Sequence, residues 1–371
     1  MKTIGIVAEF NPFHEGHKYL IEQAKADTEA DLCVVVMSGN FVQRGMPAAF
    51  DKWQRAKAAV EQGVNLVVEL PTVYACNSAE YFAKGAIEVL EGLGAVDTLV
   101  FGSESGNLAS LQSAAAFLKA EDASLKDRIQ SLMREGYAHP KAREIAVLEQ
   151  EHDFEDALIK EPNNILGIEY LKQIHSMQPH TVKRKGKGYH QSASEIRAEL
   201  EGVNPAYFRR IADDYFAMTA MKILQMPAEE LATFAAVDLG LANKLKKEIR
   251  YADSLESLIE RLKSKVYTRT RITRMLAHIL LEIRKTDVEQ AKSYIRVLAF
   301  DQAGARFLKD VKKREVASLP IVTNINKEAG LYPEITSTLE KDILASDIYN
   351  LLTHKNLYEM ADYTQRPYIH Q

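Results

Sequence analysis

The chain has 371 residues, 46% of them hydrophobic and 26% charged, which is ordinary for a globular protein and long enough for two domains with a substantial core. The net charge of −4 divides into −6 over residues 1–150 and +2 over residues 151–371, so a polyanion site is expected in the second half and only in local clusters. No apolar run approaches the ~20 residues a bilayer needs, a first strand starting at residue 3 leaves no room for a signal peptide, and Cys33 and Cys76 are too few for a disulfide framework and lack metal spacing. The expectation is a cytoplasmic protein with no membrane contact and two reduced core cysteines. Ile4-Gly5-Ile6-Val7-Ala8 reads as a buried first strand, and Lys18 to Lys25, with Tyr19, Leu20 and Ala24 on one face, as a helix. Between them lies Phe10-Asn11-Pro12-Phe13-His14-Glu15-Gly16-His17, which puts two histidines three apart where a strand ends and a helix begins. Backbone N–H groups and the helix dipole favour a phosphate there, and Gly16 lets a flat ring approach the backbone. The bland alternatives are half a zinc site, which lacks further ligands nearby, or two surface histidines.

Strand and helix signals go on alternating. Asp31–Met37 is a second strand, Asp51 caps a helix ending at Gly63, Asn65–Leu70 is a third strand, Ser78 opens another helix, and Asp97–Phe101 is a fourth strand. That order argues a parallel sheet with helices on both faces, whose ligands bind beyond the carboxyl ends of the strands. Asn11, Ser38, Gly39, Gly102 and Ser103 are therefore pocket-rim candidates, against plain turn chemistry. Arg44, in the long loop 40–47, either reaches an anion or is a surface charge. The acidic stretch from Glu149 to Asp156 reads as a solvated face, since no metal-ligand spacing stands out.

Pro162-Asn163-Asn164 opens a helix that either asparagine can cap; the same residues also suit a ribose or base edge. His180–Arg184 alternates like a fifth strand. The loop Lys185-Gly186-Lys187-Gly188-Tyr189-His190 follows, then a helix capped by Ser192 or Ser194 with Arg197 in its first turn, which together make a second anion site. Beyond residue 200 helical patterns dominate: Tyr207–Met218, Ala228–Phe234, Leu239–Tyr251, Leu255–Lys263, Tyr267–Leu281, Val288–Leu298 and Ala303–Lys313. Residues 244–274 hold ten Lys+Arg against four Asp+Glu. Lys263, Lys265, Arg269, Arg271 and Arg274, interleaved with hydroxyls and Tyr267, suit a phosphate backbone, although such a run is more often a solvated helix face.

The two anion sites resemble the His-x-Gly-His and the Ser-rich Ile-Arg signatures of the nucleotidyltransferases. The two-lysine signature of the class I aminoacyl-tRNA synthetases is absent. Lys183-x-x-Gly186-x-Gly188 nearly matches the pyrophosphate loop of acetyl-CoA-dependent acetyltransferases, but with lysine in the place of Gln or Arg. Residues 5–17, Val36–Gly45 and Pro162–Gly167 together resemble the bacterial tRNA(Met) cytidine acetate ligase family over the whole chain, most strongly through residue 200. The resemblance implies a Rossmann-like nucleotidyltransferase sheet in residues 1–200, followed by an all-α tRNA-binding domain in 201–371. It also implies ATP as substrate with Mg²⁺ as its counter-ion, acetate and elongator tRNA(Met) as partners, and N4-acetylcytidine as product through acetyl-adenylate. His14 and His17 would then hold the α-phosphate. The segment Val7, Ala8, Glu9, Phe10, Asn11, Pro12, Phe13, His14, Glu15, Gly16, His17, Lys18, Tyr19 and Leu20 would wrap the nucleotide, with Gly102, Asn163 or Asn164, and Arg184. Ser192, Ser194 and Arg197 would hold the leaving pyrophosphate. Two rivals stand beside this reading: a small-molecule adenylyltransferase, which has no need of a long basic helical tail, and a non-catalytic RNA-binding protein, in which His14 would be dispensable.

Overall fold

Strands β1 (Thr3–Ala8), β2 (Leu32–Ser38) and β3 (Leu66–Leu70) are short apolar runs separated by helices α1 (Glu15–Thr28) and α2 (Lys52–Glu61). The computed structural model describes residues 1–120, 122–185, 192–354, 356–358 and 360–371. Alternate β2 residues sort to opposite faces of the sheet. Cys33, Val35 and Met37 pack with Ile21 and Ala24 of α1 and with Ala56, Ala59 and Val60 of α2. Leu32, Val34 and Val36 face the other way, toward the largest apolar cluster. That cluster takes in α3 (Thr72–Ala75), α4 (Ala79–Gly92), strand β4 (Thr98–Ser103), α5 (Leu108–Ala120), α6 (Ala123–Arg134), α7 (His139–Leu148) and α8 (Pro162–Gln173). Strand β5 (Gln178–Lys183) then pairs with β4.

A mostly helical stretch follows: α9 (Ala193–Val203), α10 (Pro205–Gln225), α11 (Ala228–Leu231), α12 (Leu239–Glu248), α13 (Leu255–Leu262), α14 (Arg269–Leu280) and α15 (Lys285–Glu289). The second half is not all helix, however. Ile295–Phe300, whose first four residues read in the sequence as the end of a helix over 288–298, is strand β6 and pairs antiparallel with β3. After α16 (Gln302–Arg314), strand β7 (Ile321–Val322) joins β6. After α17 (Ile325–Glu328), α18 (Thr336–Thr353) and α19 (Ala361–Thr364), strand β8 (Tyr368–Ile369) pairs with β6 as well. The physical reason is burial on both faces: a short apolar run sandwiched between layers carries no alternation, and its spacing from Val288 and Ala291 also fits a helix. The expected all-α second half is corrected to helices plus three strands of the sheet.

The sheet order is β5-β4-β1-β2-β3-β6-β7, with β1 to β5 parallel. Order runs outward from β1 through β2 and β3, then restarts on its other side with β4. The crevice beyond the carboxyl ends of β1 and β4 is thus the topological switch point, where such sheets take ligands. The largest apolar cluster extends from Leu32 and Phe101 through Leu276 to Leu352, so the late helices share a core with the sheet.

Candidate active site

Strand β1 leads into the histidine turn. Phe10 sits at φ +46°, a left-handed conformation uncommon for a bulky residue, and the Asn11–Pro12 bond is cis. Asn11 Oδ1 accepts the Ala49 N–H at 2.8 Å, which ties the turn to the loop after β2. His14 is the N-cap of α1. Its Nδ1 accepts the Gly16 N–H at 3.0 Å, and the His14 N–H in turn donates to His17 Nδ1 at 3.3 Å. The two rings stack with centroids 3.7 Å apart and planes 29° apart. Since each Nδ1 accepts a backbone N–H, the hydrogen-bond network assigns the neutral ring hydrogen to Nε2 on both residues. Two parallel N–H donors therefore lie at a helix N-terminus. Burial, and secondarily the electrostatic influence of the neighbouring His14 and Arg184, hold the His17 pKa well below the ordinary histidine value. Gly16 is needed because a Cβ there would lie 2.8 Å from His14 Cε1 and 3.0 Å from its Nδ1.

Two connected chambers open at this point. One, of about 380 Å³, is bounded by Val7, Ala8, Leu20, Gly102, Phe101 and Tyr170. The other, of about 530 Å³, is bounded by His14, Ser192 and Ser194 on one side and by the loop 42–49 and α10 on the other. Glu9, Asn11, His17, Arg44, Asn163, Arg184 and Arg197 line both. Arg197 donates to the Asn11 carbonyl and, at 3.1 Å, to Ser194 Oγ. Ser192 caps α9 in a reciprocal pair with Glu195. The chambers thus offer imidazole N–H groups, three arginines and a capped helix start around an apolar slot, which suits a nucleotide with its phosphates at the junction.

Most of the expected nucleotide residues converge here: Val7, Ala8, Glu9, Phe10, Asn11, His17, Leu20, Gly102, Asn163, Arg184 and Arg197 around the smaller chamber, and His14, Ser192 and Ser194 around the larger. Pro12, Phe13, Glu15, Gly16, Lys18 and Tyr19 are absent from both linings. Phe13 and Tyr19 pack against the apolar cluster under α1, with Lys185 Nζ 4.0 Å from the Tyr19 ring centroid. Residues 186–190 of the basic loop lie outside the described residues. The asparagine pair separates. Asn163 lines both chambers, whereas Asn164 is fully buried, donating to Glu161 and accepting from the Ser105 N–H.

Neither asparagine caps α8, contrary to expectation. Pro162 occupies the first turn, and the open N–H groups of Asn163 and Asn164 donate to Glu104 Oε1 and Oε2 at 3.2 and 2.8 Å. Glu104 also accepts from Asn163 Nδ2 at 2.6 Å, which turns the Asn163 carbonyl oxygen toward Arg184, 3.4 Å away. Sequence reasoning missed Glu104, and it missed Arg55. The buried Arg55 guanidinium donates to the carbonyls of Glu9, Ser38, Gly39 and Phe50, and so pins the ends of β1 and β2 together. Its signal was available: Lys52 and Arg55 fall in the same stripe of α2 as Ala56, Ala59 and Val60.

The basic segment around α14 is partly neutralised. Arg269 pairs with Glu256 in a fork at 2.5 and 2.6 Å, Arg271 with Asp238 at 3.0 Å while it lies over the Tyr267 ring, and Lys263 with Glu260 at 3.3 Å. Lys265 is exposed. Arg274 is turned inward onto the Asn77 carbonyl at 3.0 Å. Arg44 is exposed at the chamber junction, and its guanidinium makes no hydrogen bond or ion pair among the described residues. Cys33 and Cys76 are free, buried thiols whose pKa values burial pushes up to about 12. No helix among the described residues is long and apolar enough to cross a membrane.

The HIGH Nucleotidyl Transferase family matches residues 1–364. A tRNA(Met) cytidine acetate ligase of Caldicellulosiruptor saccharolyticus is 36% identical, over 99% of this chain and 98% of its own. The Halothermothrix orenii protein of the same name is 34% identical over 95% of each. The crystal structure of Thermotoga maritima TmcAL bound with alpha-thio ATP superposes with a TM-score of 0.90 at 27% identity, covering 100% of this chain and 99% of that one. By its histidine turn, its switch-point crevice and these full-length relationships, the chain belongs to the HIGH nucleotidyl transferase family and, within it, to the tRNA(Met) cytidine acetate ligases.

Proposed function

We propose that the protein is a cytoplasmic ATP-dependent ligase that forms N4-acetylcytidine at the wobble position of elongator tRNA(Met). Acetate attacks the α-phosphorus of ATP, giving acetyl-adenylate and pyrophosphate. The cytidine amine then attacks the acetyl carbonyl, and AMP leaves. The observation that carries this reading is the pair of stacked imidazoles whose Nε2–H groups head α1 beside a chamber of nucleotide size. Adenylyl transfer calls for positioned donors on developing phosphate charge more than for a covalent partner. His14 and His17 supply them without carrying a charge that must first be desolvated. The slot beside Gly102 takes the adenosine, and Asn163 and Arg184 hold its edge and its phosphates. Ser192, Ser194 and Arg197 receive the pyrophosphate.

Mg²⁺ is expected to travel on the triphosphate as counter-ion. Among the described residues no group of three or more His, Cys, Asp or Glu side chains is built to hold a metal. In this division of labour residues 1–200 activate acetate, and the helices after residue 200, with Lys263, Lys265, Arg269, Arg271 and Arg274, carry the tRNA. The direct test is incubation with labelled acetate, ATP and total tRNA, followed by nucleoside analysis. Label in N4-acetylcytidine supports the reading. Pyrophosphate release that needs a phosphorylated small molecule in place of acetate would support a cofactor adenylyltransferase instead.

A further inference from the structure

The larger chamber has two unlike sides. Its polar side, formed by His14, Ser192, Ser194 and Arg197, meets the needs of phosphate. The wall given by the loop after β2 and by α10 is mostly apolar, with Val42, Met46 and Pro47 from the one and Phe208, Ile211 and Tyr215 from the other, while Arg44 of that loop and Glu201 of α9 add charge to the lining. The α10 residues are spaced three and four apart, so they form one stripe along two helical turns. Pyrophosphate gains nothing from such a wall, and the methyl of acetate is too small to cover two turns of helix. A flat base with one polar edge fits it, because bases drawn out of a nucleic-acid strand are held by stacking on apolar and aromatic side chains.

The same loop is fastened to α14, the helix that carries the candidate tRNA cations Arg269, Arg271 and Arg274, and to α10. Thr273 Oγ1 donates to the Arg44 carbonyl at 2.6 Å, and Tyr215 Oη donates to the Gly45 carbonyl at 3.3 Å. Gly45, at φ +77°, lies so close to α14 that a Cβ would sit 2.5 Å from the Thr273 carbonyl oxygen. At the junction of the two chambers stands Glu9. Its Oε1 is fixed by the Gln43 N–H at 2.8 Å, and its Oε2 has no hydrogen-bond partner among the described residues.

We infer that the wall formed by α10 and the loop 42–49 receives the cytosine of the acceptor nucleotide, and that Glu9 is the base that takes the proton from its exocyclic amine. This rests on the acetate-ligase reading. As N4 bonds to the acetyl carbon, the acyl C–O bond to the phosphate breaks and AMP departs with the electron pair. One N4 proton passes to the Glu9 carboxylate and on to solvent. Burial raises the Glu9 pKa above the ordinary carboxylate value against the pull of Gln43, Arg55, Arg44 and Arg197, which makes it a better proton acceptor than an exposed carboxylate.

The experiment compares two rates on the full-length protein: acetate-dependent ATP–pyrophosphate exchange, and single-turnover transfer from preformed acetyl-adenylate to an elongator tRNA(Met) transcript. For Phe208→Ala and for Ile211→Ala the ratio of transfer to exchange should fall at least about tenfold, with circular dichroism reporting the fold of each. For Glu9→Gln transfer should fall about 10²–10⁴-fold and lose its rise with pH, with partial return in Glu9→Asp. An unchanged ratio in both wall variants would overturn the cytosine assignment, and wild-type transfer in Glu9→Gln would overturn the base. Absence of acetate-dependent exchange in the wild type would instead overturn the ligase reading, and this inference with it.

Discussion

Each imidazole at the head of α1 is oriented by a backbone N–H on its Nδ1, so its usefulness depends on a neighbour with no side chain. Gly16→Ala should therefore cut acetyl-adenylate formation by about 10²-fold through displacement of His14, while the denaturant midpoint holds, since alanine is the better helix former. Loss of activity together with a large loss of stability would mean that the clash is absorbed by the helix and not by the ring. His14→Ala removes one donor outright and should lower adenylate formation by about 10²–10³-fold, with tRNA affinity retained in a filter-binding assay. The folded His17 resists protonation, whereas in the unfolded chain it titrates near ~6.5. The folded state thus binds fewer protons, and its stability falls as pH drops below ~6.5, by up to about 1.4 kcal/mol per pH unit for each such histidine. His278, buried between the carbonyls of Cys76 and Ala235, is lowered chiefly by burial and adds to the slope in the same direction. Urea melts of His17→Gln should show a shallower acid limb; an unchanged slope would refute a depressed His17. The placement of the two histidines was legible in the sequence because it is local, confined to a strand, a turn and the first turn of a helix.

At the scale of elements, α8 depends on a carboxylate from the loop after β4. Glu104→Ala leaves the amides of Asn163 and Asn164 and the Asn163 side chain without their acceptor, and should destabilise the protein by about 1–3 kcal/mol while raising the KM for ATP. No local pattern pairs Glu104 with a helix that begins almost sixty residues later, which is why the asparagines looked like caps. Strand β6 was illegible for the complementary reason. Its six residues are apolar apart from Arg296, so their spacing does not decide between strand and helix, and its partner β3 lies far back in the chain. On α14 the sequence conveys the density of cations but not their partners. Arg269→Ala combined with Arg271→Ala should weaken tRNA binding and reduce the slope of log affinity against log salt by about one for each phosphate no longer neutralised. Unchanged affinity at moderate salt would remove α14 from the tRNA-binding face.

Across the whole molecule, the last residues of the chain are fastened into the sheet by charge. Lys52 Nζ lies 2.8 Å from oxygens of both Glu69 and Asp362, and Arg296 lies 3.2 Å from Asp362, with all four side chains buried. The set joins α2, β3, β6 and α19, and with β8 on β6 it closes the sheet on its last-made side. Asp362→Ala would leave Lys52 and Arg296 under-compensated in the core and should cost about 3–5 kcal/mol, read as a lower denaturant midpoint. A midpoint within ordinary surface-variant scatter would mean that the tail contributes little to the fold. All of this serves to hold two imidazole N–H groups at a fixed place beyond β1. The most direct measurement is a crystal of the protein soaked with a non-hydrolysable ATP analogue. The account predicts an α-phosphate oxygen within hydrogen-bond distance of Nε2 of His14 and His17, with the base beside Gly102. A nucleotide bound elsewhere, with both rings facing open solvent, would contradict it.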